Sequence, residues 1–164
     1  MKKYRICILP GDGIGPEVIK TTIQVLDKAQ QNENFRLEYV FGEAGFSVIK
    51  KYSTNLPEET KKLLGITQAC LKGPMTTPEE EGSPVSVAVQ IRKIFDLYAN
   101  VRPCKTLPNS GGRPGADLII ARENTEGMYY GKERKIPGGA IAERLVTEKA
   151  CKRIAEYAFA LAAK

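Results

Sequence analysis

Three arginines, a tyrosine and a glycine-rich turn are the residues of this chain best suited to chemistry. Arg92 and Arg102 lie in the stretch SPVSVAVQIRKIFDLYANVR, residues 83–102, and Arg122 closes the apolar run that begins at Asp117. The stretch reads as a short helix, a break at Asp96 and a strand. Arg92 falls near the end of the first element and Arg102 at the end of the second. A guanidinium presents a planar fork of donors that matches a carboxylate or phosphate better than an ammonium does. Three forks at element ends can converge on one small polyanion, so the cluster reads as a grip for a di- or tricarboxylic acid. Tyr129, seven residues after Arg122, is by its type more often a half-buried packing residue than a proton donor.

Other chemistries are excluded or disfavoured. Histidine is absent, which removes Ser-His and Cys-His nucleophiles and His-ligated zinc within this chain. Cys7, Cys70, Cys104 and Cys151 are widely spaced, with no CxxC pair. They read as reduced thiols of a cytoplasmic protein, with Cys7 and Cys70 buried in apolar runs. The net charge of +6 is spread over lysines on helix faces rather than gathered in a block, so nucleic acid is not the expected partner. No apolar run approaches the ~18 residues of a membrane span, and the start MKKYRICILPG makes a poor signal peptide.

The elements that must position these residues can be read in order. Arg5–Leu9 is a short buried strand that ends in Pro10-Gly-Asp-Gly-Ile-Gly-Pro-Glu17. Glycines at alternate positions let the backbone turn sharply and approach a ligand. A helix follows from about Pro16 to Gln30, with Val18, Thr22, Val25, Leu26 and Ala29 on one face. A strand is expected at Phe35–Phe41, short helices around Phe46–Tyr52 and from Pro57, and a strand at Ala69–Leu71 running into Lys72-Gly-Pro-Met-Thr-Thr-Pro78. Strands alternating with helices predict a parallel α/β sheet, with ligands beyond the carboxyl ends of its strands. The loops at Gly11–Gly15, at Gly73–Pro78 and after Arg122 are placed at such ends. A last helix starts near Glu148, capped by Thr147, with Glu148 set to pair with Lys152. The GxGxG turn lacks the spacing of a dinucleotide fingerprint, and alone it is no more than a tight turn.

Four motifs together carry more than each does singly. PGDGIGPEV (Pro10–Val18), LKGPMTTP (Leu71–Pro78), RKxxDLYANVRP (Arg92–Pro103) and RENTEGxY (Arg122–Tyr129) resemble, in order, the β-decarboxylating dehydrogenases acting on isocitrate, homoisocitrate and 3-isopropylmalate. The resemblance implies an α/β fold of isocitrate/isopropylmalate dehydrogenase type, not a Rossmann fold. It implies that Arg92, Arg102 and Arg122 hold the malate carboxylates and that Tyr129 serves in proton transfer. Ile14, Thr76 and Thr77 match positions that contact NAD or NADP. Residues 1–98 would be the first part of a large domain and 99–164 the first part of a small one. The family's catalytic lysine, the aspartates that bind Mg2+ or Mn2+, and the adenosine loop are expected beyond a helix like Glu148–Ala163. The 164 residues therefore read as an N-terminal half, truncated after roughly half the chain and inactive alone, with no metal ligands of their own.

Specificity in this family comes from the helix preceding the first arginine. Val85, Ala88 and Val89 share the face of Arg92, and Ser86 in the first turn matches a serine that binds a distal carboxylate. This favours isocitrate or homoisocitrate, whereas apolar Ala88 and Val89 also suit the isopropyl group of the leucine-biosynthesis substrate. A non-catalytic regulatory subunit of isocitrate dehydrogenase is a further alternative, against which all three arginines and Tyr129 stand. Residues 132–146 read as a hairpin whose apolar side chains need a partner. The family resemblance makes it an arm that clasps its copy in a homodimer.

Overall fold

The computed structural model describes residues 1–78 and 82–164. The chain forms two compact units, Met1–Val87 and Ala88–Lys164.

In the first unit, β1 (Lys2–Leu9) runs between β2 (Phe35–Phe41) and β3 (Ala69–Lys72), and both pairings are parallel, as the alternation of strands and helices predicts. With a neighbour on each edge, β1 carries the centre of the core. Cys7, Ile8 and Leu9 are fully buried, as is Leu56. The helix α1 (Gly15–Ala29) connects β1 to β2, and α2 (Ile49–Tyr52) and α3 (Glu58–Ile66) lie between β2 and β3. The face that α1 buries differs from the expected one. Ile19 is buried and Thr22, Ile23 and Leu26 are half-buried, whereas Val18 and Val25 are 44% and 62% exposed. Gly15, Ile19, Leu26 and Gln30 define the inward stripe, a rotation that side-chain hydropathy alone did not fix.

Cys70 also departs from expectation. It stands opposite Cys7 in the β1–β3 register, yet it is exposed because β3 bonds to one strand only among the described residues. The neighbouring Cys70 thiol, reinforced by burial, pushes Cys7 up, and Cys7 in turn draws Cys70 down.

Helix α4 (Val87–Ile94) begins four residues later than the start of the stretch read as helical, so Ser86 precedes it rather than lying in its first turn. The second unit then pairs β4 (Ala99–Lys105) with β5 (Asp117–Glu123) in antiparallel register, Ala99 opposite Glu123 and Lys105 opposite Asp117. Two expectations change. Arg102 sits in the middle of its strand, not at its end, and Arg122 belongs to a separate antiparallel ribbon rather than to the carboxyl edge of the parallel sheet. Leu118, Ile119 and Ile120 are each about half exposed.

A hairpin follows, β6 (Glu133–Ile136) against β7 (Gly139–Ala142), in the segment read as an arm. Its side chains are exposed, and Gly138, at φ 75°, makes the turn. An isolated bridge between Gly127 and Leu145 joins its base. Helix α5 (Glu148–Ala162) packs on β5. Thr147 caps it as expected, its hydroxyl accepting from the Ala150 amide at 3.2 Å. The expected Glu148–Lys152 pair is absent among the described residues. Lys152 reaches forward to Glu156 instead, at 3.9 Å.

Candidate functional site

Two groups of sequence-predicted residues are assembled, one in each unit. The first is at the carboxyl edge of the parallel sheet, where the loops after β1, β2 and β3 meet on one buried carboxylate. Asp12 accepts from the Phe46 amide at 2.8 Å, from the Ser47 amide at 2.9 Å and from the Thr76 amide at 2.9 Å. Its own amide donates to the Pro74 carbonyl at 2.9 Å. Burial pushes the Asp12 carboxyl up, but the amides of Ser47 and Phe46, the Ser47 hydroxyl and the Thr76 amide outweigh it and hold it below the ordinary aspartate range.

Glycines make this approach possible. Gly11 has φ 80°, and a methyl group there would overlap the Pro74 carbonyl. Gly45 has φ 117°, and a methyl there would overlap the Asp12 carboxylate. The knot presents Ile14, 66% exposed, and the exposed Thr76 and Thr77 on its outer side. Sequence reasoning missed Asp12. Its signal was an acid set between two glycines directly after a buried strand.

The second group is the arginine cluster. The guanidinium carbons of Arg92 and Arg122 lie 5.4 and 5.5 Å from the centre of the Tyr129 ring. Arg122 Nη2 also donates to the Tyr129 hydroxyl at 3.2 Å. Arg102 reaches the same surface through the sheet. Its Nε donates to Asn100 Oδ1 at 3.3 Å, and Asn100 stands directly opposite Arg122, so Arg102 and Arg122 lie diagonally on one face of the ribbon. None of the three arginines is ion-paired with a carboxylate among the described residues. Two uncompensated cations on one aromatic ring form a focus for an anion.

The turn that links Arg122 to Tyr129 is held by its own acids. Glu123 accepts from the amides of Thr125 and Glu126 at 3.0 and 2.8 Å and from the Thr125 hydroxyl at 2.6 Å. Burial raises Glu123, yet these bonds and Arg153 bring its carboxyl below the usual range. Glu126 in turn accepts from the amide and hydroxyl of Thr147 at 2.9 and 2.8 Å, tying the turn to the start of α5. Beside the turn, Arg122, Tyr129, Arg144, Val146 and Ile154 line a cavity of about 330 Å³. Ser86 is half-buried just ahead of α4. No group of three acidic or cysteine side chains among the described residues could hold a divalent ion.

The Isocitrate/isopropylmalate dehydrogenase family model matches residues 5–164. The chain belongs to the isocitrate/isopropylmalate dehydrogenase family. Over 160 residues it is 42% identical to an isocitrate/homoisocitrate dehydrogenase of Thermus thermophilus, which covers 97% of this chain and 47% of that protein. It is 39% identical to a 3-isopropylmalate dehydrogenase of Methanothermobacter thermautotrophicus over 165 residues, 100% of this chain and 47% of that one. The crystal structure of isocitrate dehydrogenase from Methylococcus capsulatus superposes with a TM-score of 0.86 at 34% identity, over 98% of this chain and 48% of that one. The chain thus spans about half the length of the curated relatives it matches. Its fold is the α/β isocitrate/isopropylmalate dehydrogenase fold that the four motifs imply. No helix among the described residues is long and apolar enough to cross a membrane.

Proposed function

We propose that this family member works as part of an NAD- or NADP-dependent β-decarboxylating dehydrogenase that oxidises isocitrate or homoisocitrate in the cytoplasm. The observation that carries the reading is the pair Arg92 and Arg122, unpaired with any described carboxylate and both set against the Tyr129 ring. Arg92, Arg102 and Arg122 bind the carboxylates and fix the malate unit. Ile14, Thr76 and Thr77 would hold the nicotinamide of NAD or NADP, which would supply the hydride acceptor for oxidation of the alcohol. The β-keto acid so formed releases CO2, and Tyr129 supplies a proton to the carbon left behind. Mg2+ or Mn2+ is the family's ion. The described residues do not form a site for it.

Ser86 is proposed to read the distal carboxylate that distinguishes the tricarboxylates, and the hairpin β6–β7 to clasp its copy in a homodimer. The domain division near residue 98 is proposed on the same resemblance. The 164 residues by themselves are proposed to be inactive.

The test is steady-state reduction of NAD and NADP by the full-length protein with isocitrate, homoisocitrate and 3-isopropylmalate in turn. Turnover highest on a tricarboxylate is expected. Highest turnover on 3-isopropylmalate reassigns the substrate, and acid binding without turnover on any of the three supports a regulatory subunit instead.

A further inference from the structure

Arg153 is the most fully engaged arginine of the second unit, and the grip on the acid does not use it. It projects from α5 with a side chain only 19% exposed. Its Nη1 donates to both oxygens of Asp96 at 2.9 Å, and its Nη2 donates to the Thr125 hydroxyl at 2.7 Å and faces Glu123 Oε1 at 3.4 Å. Its guanidinium stacks on Tyr98, 4.4 Å from the ring centre. One side chain therefore joins two turns that are remote in sequence.

Both turns end on residues of the arginine–tyrosine cluster. Asp96 terminates α4. It holds φ 46°, a left-handed conformation that costs a non-glycine residue about 1 kcal/mol or more. That conformation lets the Leu97 amide reach back to the carbonyl of Arg92 at 2.9 Å. The other turn starts at Glu123, next to Arg122, and closes when the Tyr129 amide donates to the Glu126 carbonyl at 3.2 Å. Arg92 thus hangs from one turn and Arg122 and Tyr129 from the other; Lys93 at the end of α4 reaches the Tyr130 carbonyl at 3.3 Å, and the fork of Arg153, from a third element, bonds to both turns.

We propose that Arg153 is a positioning residue: by bridging Asp96 to the Glu123–Thr125 turn it sets Arg92 and Arg122 at matched distances from the Tyr129 ring. A lysine cannot reproduce this, because a single ammonium has neither the span of the fork nor the flat face that lies on Tyr98. The geometric claim is independent of what the cluster binds. Its consequence for turnover rests on the acid-binding reading above.

The experiment uses the full-length protein with Arg153→Lys, and Asp96→Asn as a milder variant that keeps the arginine. Each is crystallised, and each is assayed well below its melting temperature on the acid the wild type prefers. Expected is a shift of about 1 Å or more in at least one of the two arginine-to-Tyr129 distances. A fall in kcat/KM of about 10- to 100-fold should accompany it, carried by kcat more than by KM, as misplacement of this size produces. The lysine variant should not rescue. Arg153→Lys structures that keep both distances, or kinetics unchanged in a folded variant, would overturn the proposal. If Arg153→Lys does not fold, the distances in Asp96→Asn decide it. If the wild type turns over none of the acids, the functional reading fails and the two distances still test the positioning.

Discussion

The Asp12 knot lends itself to a quantitative test through Asp12→Asn. In the folded chain Oδ2 accepts two amides, of Phe46 and Thr76, and Oδ1 accepts that of Ser47. Asparagine keeps one acceptor oxygen. If that oxygen retains the Phe46 and Thr76 amides, its NH2 faces the Ser47 amide, donor against donor. A buried amide left unsatisfied costs about 1–3 kcal/mol, and two charge-assisted bonds made neutral lose about 1 kcal/mol each. The expected loss is about 3–5 kcal/mol, a fall in Tm of roughly 10 °C for a domain of this size.

Thermal and urea unfolding of wild type and variant, from pH 7 to pH 3, measure it. The folded Asp12 carboxyl lies below its ordinary value. Its stabilisation is therefore complete above the unfolded aspartate value of about 3.9 and is lost as pH falls through the lower folded value. The gap between the two proteins should narrow below about pH 4. A gap under about 1 kcal/mol at pH 7, or an equal gap at pH 7 and pH 3, would refute the reasoning. Because Asp12 joins the loops carrying Ile14 and Thr76, the KM for the nicotinamide cofactor should also rise in the full-length enzyme.

Three further outcomes are expected. Arg102→Lys should lower kcat/KM by about 10- to 100-fold, since a point charge replaces a bidentate fork, and unaltered kinetics on every candidate acid would remove Arg102 from the grip. Ser86→Glu should weaken isocitrate and homoisocitrate by about tenfold or more through like-charge repulsion while sparing 3-isopropylmalate. An equal loss on all three acids would show that Ser86 does not discriminate. Replacing Pro137–Glu143 by a short Gly-Ser loop should shift full-length protein toward monomer in sedimentation velocity. A variant that stays dimeric and active would exclude the clasp.

What the sequence determined by itself was local or family-wide. Alternating strands and helices specified the parallel arrangement of β1, β2 and β3, because each needs a helical crossover to its neighbour. Asp96 as a break, Thr147 as a cap and the turn at Gly138 follow from backbone preferences of single residues. The motifs at Pro10–Val18, Leu71–Pro78, Arg92–Pro103 and Arg122–Tyr129 were enough to indicate the family.

What only the tertiary structure decided was which side chains meet. Arg92, Arg102, Arg122 and Arg153 are indistinguishable as residue types. Yet Arg153 is held by Asp96, Glu123 and Thr125, whereas Arg92 and Arg122 face Tyr129 without a described carboxylate. The antiparallel pairing of β4 with β5 put Asn100 opposite Arg122 and so brought Arg102 onto the same face. A parallel reading of that strand could not have done so. Likewise, Asp12 gains its role only when the chain returns with Phe46, Ser47 and Thr76, and Ile19 rather than Val18 faces inward once α1 is packed. Hydropathy and spacing act over a few residues, whereas ion pairs, register and helix roll are fixed by contacts between segments tens of residues apart.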